Sequence, residues 1–316
     1  SDWHLGKRLH QVDLTEDHKR FFDWFLQMIE NESIDAVLVS GDVFDLANPS
    51  SEARKLYYEV LLELSRKHCT VILTGGNHDS PSVLNAPKEI LKALNIHVIG
   101  GLPEQLNDLV IPLTDHHGET QAMVAAIPYL RDADLRKASP GSSHEDRIEE
   151  VKQGIPKIFR ETAEICQTEY PHVPAIAMGH LFARGVTTSE SEREIQVGNL
   201  ARYDAASFDP YFQYIALGHI HKPQKVSERV FYSGSPIPLS FSEISDKKRM
   251  VVYDVTQHTM EARKIEIPVF RKLRKINGTL AEIRKALHHL EEPGTDLPVL
   301  IEIEMREQVE DPQKIT

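Results

Sequence analysis

The feature that most constrains this chain is a repeated local pattern: short apolar runs that end abruptly in glycine and a polar residue. Residues 34–40 lead into Gly41-Asp42-Val43-Phe44-Asp45, and Val71-Ile72-Leu73 into Gly75-Gly76-Asn77-His78-Asp79. Residues 175–178 lead into Gly179-His180, and residues 214–217 into Gly218-His219-Ile220-His221. Short apolar runs bounded by turns and flanked by helices read as buried parallel strands. The segments between the first runs are helical. Over residues 14–32, Phe21, Phe22, Phe25 and Ile29 fall near one face; over 50–67, Leu56, Val60, Leu61 and Leu64 are spaced for burial. Strand–helix alternation specifies an α/β layered fold. In such folds the chemistry gathers just past the carboxyl ends of the strands, where these glycine-led signatures fall.

The rest of the chain extends the pattern. Residues 82–94 read as a helix, and Val98-Ile99 as the beginning of a strand. Residues 107–128 read as strands joined by the turn Asp115-His116-His117-Gly118. A charged stretch over 131–150, with Ser139-Pro140-Gly141, reads as a surface loop, followed by a helix over about 146–169. Further strands are expected at 230–232, 250–255 and 260–267. Pro268 marks a boundary between a large domain, 1–267, and a small one, 268–316. The small piece reads as a strand, a helix over 279–291, the breaker Pro293-Gly294 and a strand over 298–304. It is too short to build a core alone and is expected to be partial. Because Asp2 follows Ser1 at once, a further apolar strand of roughly five residues is expected before it.

Composition limits the function classes. The chain has 36 basic and 48 acidic residues, a net charge of −12. That argues against a free-standing, nonspecific DNA binder, which carries a basic face; it does not exclude a nuclease whose bound cations offset part of the charge. No run of about 18 apolar residues suggests a membrane span, and there is no secretory leader pattern. Cys69 and Cys166 read as buried free thiols, and a reducing cytoplasm is the expected compartment.

The signatures share a chemistry. Asp2-Trp3-His4 is expected to project Asp2 and His4 to one side of an extended segment. Gly41 permits a tight turn and close backbone approach, and Asp42 suits a ligand bridging two cations. Asn77 can offer an amide oxygen to metal and its NH2 to a phosphate oxygen. His78 can reach a leaving group without being a ligand, with Asp45 as the carboxylate that sets its tautomer, while Asp79 secures the loop. His180, His219 and His221 supply imidazoles, and the two of His219-Ile220-His221 point the same way if extended. Each residue alone would more often be a cap, a turn or a structural histidine. Their joint occurrence at strand ends gives enough ligands for two metals, which clamp both oxygens of an in-line phosphoryl displacement. The mixed oxygen and nitrogen set favours Mn2+ or Fe2+ over Mg2+, and the absence of thiolate disfavours structural zinc. Lys7, Arg8, Lys222 and Arg184 lie near signatures and are candidate phosphate contacts, although a solvated-charge role fits each at least as well.

These residues resemble the calcineurin-like metallophosphoesterase superfamily. Within it, Asp2-Trp3-His4-Leu5-Gly6, Gly41-Asp42-Val43-Phe44-Asp45, the segment 215–221 and Gly234-Ser235-Pro236-Ile237-Pro238-Leu239-Ser240-Phe241 are similar to the SbcD family of bacterial nuclease subunits, across most of residues 1–267. The resemblance implies a four-layer α-β-β-α sandwich with a small α+β capping domain. It implies Asp2, His4, Asp42 and His221 around one metal, and Asp42, Asn77, His180 and His219 around another. His78 would protonate the leaving sugar oxygen or stabilise the transition state, oriented by Asp45. It further implies Mn2+-dependent exonuclease action on duplex DNA and endonuclease action on single strands and hairpins, in DNA repair, recombination and replication. A homodimer and an SbcC-like ATPase partner come with it, without a membrane.

Two other readings stand beside this one. A small-molecule phosphodiesterase or nucleotidase would share the same two-metal core, and a non-catalytic scaffold would keep the fold without needing two ions. A protein Ser/Thr phosphatase fits less well, because Leu46-Ala47 and Asp79 stand where that group carries Arg-Gly and Glu.

Overall fold

The computed structural model describes residues 1–135, 144–192, 203–255, 260–290 and 294–306. A small ribbon, β1 (Arg8–Leu9) and β2 (Val12–Asp13), precedes helix α1 (Thr15–Asn31). Strands β3 (Ala36–Ser40), β4 (Thr70–Thr74) and β5 (Ile96–Ile99) form a parallel sheet, with helix α2 (Ser51–Arg66) between the first two. The apolar stripes of α1 (Phe21, Phe22, Phe25, Ile29) and α2 (Leu56, Val60, Leu61, Leu64) are buried in one cluster with Val37, Val39, Val71 and Leu73 of this sheet. The i, i+3, i+4 spacing read from the sequence is thus the core face. The helix expected over 82–94 is instead two short ones, α3 (Pro81–Asn85) and α4 (Lys88–Lys92). Pro87 has no N–H to donate to the preceding turn. The strand expected to begin at Val98 begins at Ile96 and is complete at Ile99.

The second sheet is six-stranded and mixed, in the order β10-β11-β9-β8-β7-β6. It comprises β6 (Val110–Thr114), β7 (Thr120–Ala126), β8 (Ala175–His180), β9 (Phe212–Gly218), β10 (Gln224–Lys225) and β11 (Val230–Tyr232). The hairpin between β6 and β7 turns at Asp115–Gly118 as expected, with the Gly118 N–H donating to the Asp115 carbonyl at 3.0 Å. Helices α5 (Asp132–Leu135) and α6 (His144–Glu169) follow β7. Phe159, Ala163 and Cys166 of α6 are buried against Met123, Ala125, Ala177 and Ile215 on the outer face of the sheet. Its inner face (Val124, Ala126, Ile176, Met178, Tyr214) packs on Ile72 of β4. The layers are therefore helix, sheet, sheet, helix, the four-layer α-β-β-α sandwich that was expected. Cys69 and Cys166 are buried free thiols, and burial pushes each up to about 12.

Strands β12 (Arg249–Val255) and β13 (Met260–Glu266) form an antiparallel ribbon. After Pro268, β14 (Arg271–Gly278) and β15 (Leu297–Met305) pair in parallel around helix α7 (Leu280–His288), which a Thr279/Glu282 capping box opens. This β-α-β piece leans on the core of α1 and α2. Leu273, Phe270 and Leu300 join that cluster, and Arg271 forks onto Asp17 at 2.8 and 2.9 Å. The Ser139-Pro140-Gly141 loop, Pro293 and the last ten residues lie outside the described residues. Among the described residues, no helix is long and apolar enough to cross a membrane.

Candidate active site

The carboxyl ends of β3, β4, β8 and β9 meet at one edge where the two sheets face each other. The chain start joins them: the Asp2, His4 and Leu5 N–H groups donate to the carbonyls of Gly41, Asp42 and Val43, each at 3.0 Å. The expectation of extended Asp-x-His and His-x-His segments is corrected here. Asp2 (φ 54°), His4 (φ 47°), Asp42 (φ 49°) and His219 (φ 99°) all adopt positive φ. Such conformations cost of order 1–3 kcal/mol each and persist only where surroundings over-determine them. The kinks still aim these side chains inward, because the turns, not an extended pleat, set their direction. Two glycines make room for this. A Cβ on Gly76 would lie 2.1 Å from Asp42 Oδ1, and one on Gly218 would lie 1.8 Å from the Ser40 carbonyl oxygen.

The candidate ligand atoms converge in two sets. Asp2, His4 and His221 form one buried group, with His4 Nε2 and His221 Nε2 3.2 Å apart. Asp42, His180 and His219 form the other. Asn77 Oδ1 joins it, 2.9 Å from His180 Nε2 and 3.1 Å from His219 Nδ1. Asp42 Oδ2 lies between the sets, 3.5 Å from His4 Nε2 and 3.4 Å from His180 Nε2. A third grouping brings His78 within the same reach of His4 and Asp42.

Main-chain and carboxylate partners fix the ring tautomers. His180 Nδ1–H donates to the Ser40 carbonyl at 3.0 Å, and His4 Nδ1–H to Asp45 Oδ1 at 3.2 Å. His78 Nδ1–H donates to the main-chain carbonyl of Asp45 at 2.7 Å, while Asp42 Oδ1 accepts from the His78 N–H at 2.9 Å. The contact expected between Asp45 and His78 is made by the Asp45 backbone, not its carboxylate, which faces His4 and Lys7, each at 3.2 Å. Asp79 anchors the loop as expected, accepting from Val43, Phe44 and Gly76 N–H groups. Among the candidate phosphate contacts, Lys7 is paired with Asp45, Arg8 donates to the Gln11 carbonyl at 2.7 Å, and Lys222 lies 3.8 Å from Asp246.

The electrostatics of the cluster favour a bound cation. Burial works against a charged His180, yet the charge of Asp42 and their hydrogen bond outweigh it and raise the ring to about 9. His219, buried and facing His180, is pushed down to about 3. Burial would also raise Asp45, but the His4 hydrogen bond and then Lys7 hold it at about 2. Burial, then the charge of Asp42, raises Asp79 to about 6. Positive charge is thus drawn to the buried carboxylates. The donor set fits divalent metal. Asp2 Oδ2 is buried with no hydrogen-bond partner. Asn77 Oδ1 and Asp42 Oδ2 present lone pairs beside His180 Nε2, whose proton a divalent cation would displace.

Sequence reasoning missed the layer behind His221. His221 Nδ1 lies 2.6 Å from Ser191 Oγ, and the His221 N–H donates to Glu192 at 2.8 Å. Glu243 and Lys248 are buried behind them and paired at 2.6 Å. The segment 234–241, singled out in the sequence but given no role, wraps this pair: Ser235 Oγ accepts from Lys248 at 2.8 Å, and the Leu239 N–H donates to Glu243 at 3.2 Å.

A two-sheet sandwich with this Asp/His/Asn cluster at one sheet edge defines a class of phosphoester hydrolase. The family profile of calcineurin-like phosphoesterases matches residues 1–223, and the chain belongs to that family. Within it, the chain is similar to the SbcD subunit of nuclease SbcCD from Escherichia coli (strain K12), at 33% identity over 313 residues, covering 96% of this chain and 76% of that protein. The protein of the same name from Rhodobacter capsulatus is 34% identical over 307 residues, covering 93% of this chain and 75% of that one. The one from Bacillus subtilis (strain 168) is 32% identical over 261 residues, covering 80% and 64%.

Proposed function

We propose that this chain is a two-metal nuclease that hydrolyses DNA phosphodiester bonds. The observation that carries the two-metal core is Asp42 Oδ2, held between His4 of one ligand group and His180 of the other. Asp2, His4, Asp42 and His221 would hold one ion, and Asp42, Asn77, His180 and His219 the second; Mn2+ suits their mixed donors best. Bound there, the ions would neutralise charge on the phosphoryl oxygens and activate water.

The remaining steps belong to the protein's own groups. With Nδ1–H donating to the Asp45 carbonyl, proton exchange with substrate falls to His78 Nε2. That nitrogen protonates the leaving sugar oxygen, a contribution of typically about 10²–10⁴-fold. The Asn77 amide NH2 supplies a donor to a phosphate oxygen while Oδ1 faces metal. The similarity to proteins named as the SbcD subunit of nuclease SbcCD supports DNA as substrate. On that reading the enzyme is a 3′→5′ exonuclease on duplex ends and an endonuclease on single strands and hairpins, working in the cytoplasm as a homodimer with an SbcC-like ATPase. Residues 268–316 would be part of a capping domain against the nuclease domain at 1–267.

The second reading, a small-molecule phosphodiesterase, shares every ligand. The experiment that separates them incubates the protein with Mn2+ and linear duplex DNA, circular single-stranded DNA or bis-p-nitrophenyl phosphate, with and without EDTA. EDTA-sensitive cleavage of DNA is expected. Cleavage of the small diester alone would overturn the nuclease assignment and leave the small-molecule one.

A further inference from the structure

The two ligand groups are backed differently, and the difference concentrates on one side of His221. Lys248 spends its three donors on Glu243 Oε2 (2.6 Å), Ser235 Oγ (2.8 Å) and the His221 carbonyl (3.0 Å). Glu243, fully buried, accepts at its other oxygen, Oε1, from the Ser191 hydroxyl at 2.5 Å, with the Ser189 and Ser240 hydroxyls beside it at 3.2 and 3.3 Å. With the Ser191 hydrogen on the carboxylate, and the neighbouring Ser189 hydroxyl, 2.7 Å from Ser191 Oγ, donating to Glu192 at 2.9 Å, Ser191 Oγ meets His221 with lone pairs, so the 2.6 Å contact is Nδ1–H donating to Oγ. The direct His221 Nδ1 to Glu243 Oε1 separation is 3.7 Å, too long to replace the bridge. Neutral His221 is thereby held as the Nδ1–H tautomer, with the Nε2 lone pair aimed at His4 Nε2 and the Asp2 group.

We infer that Ser191, Glu243 and Lys248 form a hydroxyl-bridged carboxylate relay that positions His221 and sets the metal affinity of the Asp2/His4/His221 half of the site. The inference rests on the two-metal reading above. A carboxylate behind a ligating imidazole orients the ring, and losing such a partner typically costs about 10–100-fold in metal affinity. Here the serine hydroxyl transmits that effect over a gap the carboxylate does not span. The buried Glu243–Lys248 pair fixes the carboxylate itself, since an unpaired charge at that depth would not be tolerated. The relay enters from residues 189–192 on one side and 235–248 on the other, so it ties both segments to one half of the site. The other half is built differently: His180 leans on the Ser40 main-chain carbonyl.

The test is a Mn2+ binding isotherm on the full chain, followed by electron paramagnetic resonance, for wild type and for Ser191→Ala and Ser191→Thr. Ser191→Ala leaves the Glu243–Lys248 pair intact, so melting temperature serves as the folding control. The expected result is two binding steps in wild type, one of them weakened about 10–100-fold in Ser191→Ala with the other unchanged, and recovery in Ser191→Thr, which restores the hydroxyl. An unchanged isotherm in Ser191→Ala, or equal weakening of both steps, would overturn the relay. If Ser191→Ala melts much lower, Glu243→Gln combined with Lys248→Met takes its place, under the same two criteria. Wild type that binds no Mn2+ would instead remove the two-metal reading, and the relay with it.

Discussion

The two halves of the candidate metal site are made from the same kinds of side chain but are supported in opposite ways. In the Asp2/His4/His221 half, each imidazole leans on a carboxylate, His4 directly on Asp45 and His221 through Ser191 on Glu243. In the Asn77/His180/His219 half, His180 donates to a main-chain carbonyl and the third ligand is a neutral amide. The first half therefore carries more negative charge; the second takes Asn77, His180 and His219 from the ends of β4, β8 and β9. Asp42, the shared residue, is the only carboxylate the second half has among the described ligands.

That asymmetry sets the order of expected effects. Asp42→Ala should empty both halves, since it removes the shared anion. Losing the charge stabilisation of two ions corresponds to more than about 10³-fold in activity. Metal analysis of the purified variant checks it, and a fully metallated, active variant would break the bridging role. Next, His78→Ala should keep both ions and lose about 10²–10⁴-fold in cleavage. If metal is lost instead, His78 belongs among the ligands, as its proximity to His4 and Asp42 allows. Asp45→Asn should weaken one Mn2+ step by about 10–100-fold and leave the other, because its carboxylate backs His4 alone among the ligands; equal weakening of both steps would show that the halves are not independent. The smallest effect is a control. Ser50 caps α2, accepting from the Ala53 N–H at 3.2 Å, so Ser50→Ala should cost about 1 kcal/mol, read as a lower melting temperature with both Mn2+ steps unchanged. A shifted isotherm would mean that global stability, not local backing, separates the halves.

The convergence of most candidate ligands was legible because it follows strands. Asp42, Asn77, His180 and His219 each stand just past an apolar run whose identity is decided locally, and parallel strand order brings those ends together without further information. The backing layer was not legible. Ser191 and Glu243 are 52 residues apart and meet only through tertiary packing, with no periodic signal around either. The one hint was the apolar segment 234–241, unusually rich for a loop, which wraps a buried ion pair. The direction of Asp2, His4 and His219 was misjudged for a different reason: positive φ at non-glycine residues is imposed by the surrounding loops and leaves no mark in residue type. Asp45 was assigned the right neighbour and the wrong atom, since main-chain carbonyls are invisible to sequence patterns. The break at Pro87, by contrast, was written in the chain and outweighed by the helical spacing around it.

Asp42, shared by a pair of ions, would make the two halves one centre. Low-temperature electron paramagnetic resonance of the Mn2+-loaded protein tests it most directly, with duplex DNA cleavage assayed on the same sample. Two ions per chain with the spectrum of an exchange-coupled pair are expected. A single uncoupled ion at saturating Mn2+, with cleavage intact, would contradict it.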